Sequence, residues 1–208
     1  MAANHLTTKK LEEARAIFRS HGGILRTNDA LKQGIHRRAL YGLRDSGELE
    51  CLSRGLYRLV DMPELSDPDP DLVTIAHRIP DGVVCLISAL HFHEITTQIP
   101  HVVSVAIKRG KEKPRVQYPP NRIYTFSGSA FSDGIDTHVI DAATVRVYNP
   151  EKTLADIFKF RDRIGAEMLR EAMDMYKSQM KPKPRELLKY AKICRVEKYM
   201  RPYLEAVL

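Results

Sequence analysis

Tryptophan is absent from this 208-residue chain, so no indole is available as a stacking platform. Cysteine is scarce: Cys51, Cys85 and Cys194 are odd in number and far apart. That excludes a disulfide framework and a zinc ribbon, and buried reduced thiols are expected. No long apolar run occurs, which excludes a transmembrane helix. The N-terminal stretch MAANHLTTKKLEEARAIF has no apolar core of signal-peptide length before charge intervenes, so a cytoplasmic protein is expected. There is no Walker loop, no G-x-G-x-x-G and no G-x-S-x-G. No acid is followed two positions later by lysine, which removes the restriction-type nuclease pattern.

What the chain does have is positive charge, +7 overall and unevenly placed. Residues 1–60 carry 11 Lys+Arg against 6 Asp+Glu, and residues 61–107 carry only Arg78 against seven acids. Residues 108–122 then hold six bases against Glu112, and residues 177–201 hold nine against Glu186 and Glu197. Three basic zones around an acidic one suit an extended polyanion as partner.

The first zone contains the most informative stretch, Ile35 to Val60. Ile35, Ala39, Leu40 and Leu43 lay one narrow apolar stripe on a helix. With His36 as N-cap, Ile35 and Leu40 form the pair of a hydrophobic staple. Arg37, Arg38 and Tyr41 project from the opposite face, with Arg44 at its edge. Gly47 ends the helix. Two alternating runs follow, Glu48–Leu52 and Leu56–Val60, joined by Ser53-Arg54-Gly55, which is a hairpin signal. Its tip carries Arg54, and Arg58 lies on its second strand. A helix bearing arginines is by itself most often a solvated face. Here two further helices precede it, which makes the order that of a winged helix-turn-helix. The first runs from a cap at Thr7 or Thr8 to about Ser20. Ile24-Leu25 reads as a small edge strand, and Thr27 as the cap of a second helix, Asn28 to Gln33. Thr27 and Asn28 are then placed to meet phosphate.

Asp61 to Asp71 reads as an acidic, proline-rich linker, with domains at 1–62 and 70–208. Its Asp-x-Asp-x-Asp run lacks the Gly and Glu of a calcium loop. The second domain reads as mixed α/β ending in helices. Helical patterns are expected over Leu72–Ile79 and over Ser88–Ile95 with Ser88 as cap. Extended patterns cover Val83–Leu86, Val102–Ile107, Arg122–Phe126, Thr137–Ile140 and Val145–Tyr148. Asn149-Pro150-Glu151 is a strong helix start. Further helices follow Gly165 and Pro184, the last carrying Tyr199, Tyr203, Leu204 and Val207.

The chemistry-bearing clusters are weak. His91 and His93 point about 200° apart on a helix and cannot ligate one metal together there; with His101 they read as packing or surface histidines. Gly128-Ser129 with Asp133 and Asp136 faintly suggests a nucleotidyltransferase, but carboxylates three apart do not share a strand face. Lys152, Asp156, Lys159, Arg161 and Asp162 read as surface pairs on a helix. No catalytic residue, metal or cofactor is expected.

The residues Gly34-Ile35, His36, Arg37-Arg38, Ala39-Leu40, Gly47-Glu48-Leu49 and Arg54-Gly55-Leu56-Tyr57 resemble the winged helix of the AbiEi antitoxins of type IV (abortive-infection) toxin–antitoxin systems. Ser88–Pro100 and Asn149–Gly165 are similar to two blocks of that family's antitoxin domain. The resemblance implies a transcriptional autorepressor that binds inverted repeats in its own promoter and pairs on them. It also implies a functional partner, a nucleotidyltransferase toxin encoded alongside and countered without a stable complex. The resemblance carries DNA contact over to Arg37, Arg38, Tyr41, Arg44 and Arg54 only; Thr27 and Asn28, at a helix N-terminus, and Arg58 on the wing join this set from the residues themselves. A secondary basic surface comprises Lys108, Arg109, Lys181, Lys183, Arg185, Lys189 and Lys192. The rival readings are a nucleic-acid-processing enzyme, nuclease or nucleotidyltransferase, delivered by its winged helix, and an adaptor that holds a toxin directly.

Overall fold

In a computed structural model of the chain, residues 3–61, 70–140 and 143–207 are described. The fold is mixed α/β, with two sheets, and it divides into two compact units. One is Met1–His77 with Val139–Thr144, the other Arg78–His138 with Val145–Leu208. Most of the acidic linker stretch, residues 62–69, lies outside the described residues. No helix among the described residues is long and apolar enough to cross a membrane.

The first unit starts with α1 (Ala3–Ser20). The helix begins ahead of Thr7 and Thr8, so neither is its cap; no Gly or Pro in Ala3–Leu6 stops the helix from running further back. Next come β1 (Ile24–Arg26), α2 (Thr27–Lys32), α3 (Arg37–Asp45), β2 (Leu49–Ser53) and β3 (Leu56–Leu59). The three strands form an antiparallel sheet with β3 in the middle. Tyr57 pairs with Leu25 on one side and Cys51 on the other, and Leu59 pairs with Leu49. Phe18 of α1, Leu40 and Leu43 of α3, and Leu49, Tyr57 and Leu59 of the hairpin join in one core. Burying each such large side chain contributes about 1.5–3 kcal/mol. A bidentate pair, Arg15 to Glu48 at 2.5 and 3.0 Å, ties α1 to the start of the hairpin. Cys51 is exposed, contrary to the expectation of buried thiols; Cys85 and Cys194 are buried. β2 is an edge strand whose register shifts between Cys51 and Ser53. The helix α4 (Pro70–Arg78) buries Leu72, Val73 and Ile75, and its His77 carbonyl accepts the Arg26 guanidinium.

The second unit is built on the five-stranded sheet. Its elements are β4 (Val83–Val84), α5 (Leu86–Phe92), β5 (Val103–Lys108), β6 (Asn121–Phe126), α6 (Ser129–Ser132), β7 (Ile135–Ile140) up to His138, β8 (Ala143–Tyr148) from Val145, α7 (Pro150–Lys159), α8 (Arg161–Ile164), α9 (Ala166–Gln179), α10 (Pro184–Ile193) and α11 (Glu197–Val207). The strand order is β6-β5-β4-β8-β7, with β5–β6 and β4–β8 parallel and β4–β5 antiparallel. The strand expected over Val83–Leu86 stops at Val84, and α5 starts at Leu86, with Cys85 at the cap position. Ser88 is therefore not the cap. It is buried and accepts a bond from the Ser104 amide at 2.9 Å, tying α5 to β5. Asn149 caps α7 as read, accepting from the Lys152 amide at 2.9 Å, with Pro150 at the first turn. The α9 residues Met168, Leu169, Ala172, Met173 and Tyr176 are all buried. On α11, Met200 and Leu204 are buried and Tyr199 and Tyr203 are exposed, while the side chain of Val207 lies outside those described.

Candidate nucleic-acid interface

Two glycines shape the helix-turn-helix. Gly34, at φ +93°, follows the end of α2, its amide donating to Leu31 and the Ile35 amide reaching back to Ala30. Gly47, at φ +78°, does the same for α3, with bonds to Arg44 and from Glu48 to Leu43. Both are left-handed terminations in which a Cβ would be strained. Between them, the His36 ring accepts a hydrogen bond from the Arg38 amide at 3.2 Å through Nδ1. Ile35 and Leu40 are buried in the same core, which completes the staple.

This geometry turns α3 outward along one side. Ala39, Leu40 and Leu43 are buried, whereas Arg37, Arg38, Tyr41 and Arg44 are exposed. Arg37, Tyr41 and Arg44 follow one another at i, i+4 and i+7, so they share a ridge. Arg44 lies over the Tyr41 ring, 4.8 Å from its centroid, and pairs with Asp45 at 2.7 Å. Arg37 and Arg38 make no ion pair among the described residues, and the first turn of α3 holds no acid. Two cations at a helix N-terminus oppose the helix dipole. For the fold alone this is unfavourable; it is useful where an anion is to be bound.

The wing brings a third guanidinium. Thr27 donates its amide (2.8 Å) and its hydroxyl (3.3 Å) to the Gly55 carbonyl. That pins the hairpin tip, where Arg54 is exposed, against the start of α2. Thr27 is thus the first residue of α2 rather than its cap, and Arg26 occupies the cap position without a side-chain bond. Its hydroxyl points to the wing, a contact across 28 positions that local spacing does not reveal. Asn28 beside it is exposed. Arg58 is half-buried and pairs with Glu50, directly opposite on β2, at 2.7 Å. The structure therefore separates unengaged cations (Arg37, Arg38 and Arg54) from engaged ones (Arg44 and Arg58).

In the second unit Lys108 and Arg109 are exposed at the end of β5. Lys181, Lys183, Arg185, Lys189 and Lys192 are exposed before and along α10. Arg185, Lys189 and Lys192 again follow the i, i+4, i+7 ridge. Lys189 pairs with Glu186 at 3.1 Å and Lys183 approaches the buried Glu151 at 3.5 Å.

Lys152 and Asp156 are not the surface pair expected. Both side chains are 0% exposed and their charged groups meet at 2.5 Å. The Cys194 thiol donates to the other Asp156 oxygen at 3.2 Å, and the Lys152 ammonium lies 4.1 Å from the Tyr148 ring centroid. Burial pushes the Asp156 carboxyl up from its ordinary value against the pull of Lys152. Beside them, Glu151 accepts from the Tyr176 hydroxyl at 2.9 Å. The network fastens α7 to α9 and α10. His93 is half-buried, its Nε2 bound to the Tyr148 carbonyl at 2.7 Å, which marks it as a packing residue. No group of three or more His, Cys, Asp or Glu is placed to hold a metal ion among the described residues.

Residues 12–60 match the family described as a transcriptional regulator, AbiEi antitoxin. The match runs from within α1 through β3, and it bears out there the resemblance seen in the sequence. No curated protein matches the chain. Among solved structures, the RV2827C protein from Mycobacterium tuberculosis is similar in fold, with a TM-score of 0.61 and 16% identity over 94% of this chain and 78% of that one.

Proposed function

We propose that the chain is a DNA-binding antitoxin and transcriptional autorepressor of a type IV toxin–antitoxin operon, working in the cytoplasm. The observation that carries this is the α3 face. Arg37 and Arg38 stand unengaged and exposed at the N-terminus of a helix whose other face is locked into the core, next to a wing whose tip is pinned in place. In helix-turn-helix proteins the N-terminal residues of that helix meet base edges in the major groove. Arg37, Arg38 and Tyr41 take that role. Arg54 reaches a phosphate or the neighbouring minor groove, and Asn28 meets backbone phosphate. Arg44 and Arg58 join only by leaving Asp45 and Glu50. The match to AbiEi regulators over residues 12–60 supports the same reading.

The target is the operon's own promoter, with two molecules on an inverted repeat. The partner countered is a nucleotidyltransferase toxin encoded alongside, without a stable complex between the two chains. The basic ridge of α10, with Lys181 and Lys183 before it, adds phosphate contacts that carry no sequence information.

The test is fluorescence anisotropy of the full chain on its promoter and on a scrambled duplex. The promoter binds more tightly, and Arg37→Ala/Arg38→Ala removes the preference, at about 1–3 kcal/mol for each arginine that reads a guanine. Equal affinity for both duplexes, or an unaffected double variant that is folded by circular dichroism, overturns the assignment. Rescue of growth on co-expression with the neighbouring gene tests the antitoxin half, and co-elution of the two chains would favour a direct-binding adaptor.

A further inference from the structure

The second unit contains a cleft of about 330 Å3 that none of Arg37, Arg38, Tyr41 and Arg54 lines. It lies where β5 ends and the chain turns into β4. Its apolar wall is made by Ile79, Pro80, Ile107, Pro114 and Phe131. Ile79 and Ile107 are buried core residues, and Phe131 is half-buried. The rim is charged: Arg78, Lys108, Lys111 and Arg146 against Asp81 and Glu112, a formal net of +2. Arg146 is held in position by a bond from Nη1 to the Asp81 carbonyl at 3.1 Å.

We propose that this cleft binds a small phosphate monoester carrying a flat unsaturated ring, of which a nucleoside monophosphate is the type. Its volume lies at the small end of the range for small-molecule sites, about 300–1,000 Å3, which suits one ring system, a sugar and a phosphate. The ring packs on the Ile107, Pro114 and Phe131 wall and removes apolar surface from water. A phosphate monoester carries roughly −1.5 to −2 at neutral pH, which matches the rim. The Arg146 fork and the Lys111 ammonium supply charge-assisted hydrogen bonds. A duplex is too wide for a cleft of this size. Lys108 and Lys111 therefore have a role that their place in a basic run does not reveal.

Isothermal titration of the full chain with AMP, GMP, CMP and UMP tests this, with the matching nucleoside and inorganic phosphate as half-ligands. At least one monophosphate binds saturably, and each of its halves binds at least about tenfold more weakly. Lys108→Glu/Lys111→Glu turns the rim from net positive to net negative and weakens binding at least about tenfold. Lys113→Glu, exposed on the same loop but outside the cleft, changes it less than about twofold. Lys108 and Lys111 are exposed, and circular dichroism checks that their variant is folded. The proposal is overturned if none of the four saturates at millimolar concentration, or if phosphate alone binds as tightly. It is equally overturned if the double variant binds normally, or if Lys113→Glu loses as much. Promoter binding is measured separately, so either reading can fail alone.

Discussion

Replacing Asp156 by alanine strands a lysine in the middle of the second unit. Lys152 is 0% exposed, and among the described residues its carboxylate partner is Asp156, at 2.5 Å. The Tyr148 and Phe126 rings, 4.1 and 5.0 Å from the ammonium, soften the loss but do not replace a carboxylate. Removing one member of a buried pair costs about 3–5 kcal/mol, because the other charge stays behind without compensation. Against a total stability of about 5–15 kcal/mol, that is a large fraction. At roughly 3–5 °C per kcal/mol for a unit of this size, Asp156→Ala lowers the melting temperature by about 10–25 °C. Lys152→Met is milder. The carboxyl it leaves is already pushed up by burial, so it can take a proton and become neutral. Its folded-state value then lies above the unfolded one, the folded state binds the proton more tightly, and this variant gains stability as pH falls from neutral toward about 4. The double variant Lys152→Met/Asp156→Leu recovers most of the loss, since well-packed apolar residues often replace a buried pair at little or no cost. Urea denaturation followed by circular dichroism measures all three. A double variant as unstable as the sum of its singles refutes the argument, as does an Asp156→Ala loss below about 1 kcal/mol.

The wing separates readout from structure: Arg54→Ala leaves the urea midpoint unchanged and lowers the salt slope of promoter binding by about 0.9 per chain. Tyr57→Ala, by contrast, empties a buried site and destabilises the first unit by about 3–5 kcal/mol. Burial lowers His77 and His93 below their ordinary 6.5, with the Arg26 charge adding to the effect at His77. The unfolded chain therefore takes up these protons first, and stability falls as pH drops through about 6.5 toward the lowered values. His93→Gln flattens the pH dependence of the urea midpoint between pH 7.5 and 5, and an unchanged slope would exclude burial of His93 as its source.

Local chemistry made the helix-turn-helix legible. His36, Gly47 and the Ile35/Leu40 pair each act within a few positions of themselves, and each appears in the structure where spacing put it. The same holds for Asn149-Pro150 at the start of α7. Features that depend on distant residues were not legible. Thr27 has the composition of a cap, but its hydroxyl crosses to Gly55 because the hairpin folds back to it. Cys51 alternates with Leu49, yet it sits on an edge strand next to a register shift and is exposed where Leu49 is buried. Lys152 and Asp156 lie opposite the Leu154, Ile157 and Phe158 stripe, where a helix with one covered face would show them to water. Here α7 is covered on both sides. Gly134 is so close to Lys152 that an added Cβ would come within 2.7 Å of its Cβ, and Cys194 reaches Asp156 from α10. Periodicity reports which side of a helix is apolar, but whether a second layer closes over the polar side depends on chain outside the helix, both before it (Gly134) and well after it (Cys194). The cleft beside Phe131 has the same origin. Lys108 and Lys111 read as part of a basic run, and they become a rim only because Ile79, Phe131 and Arg146 are brought to the same end of the sheet.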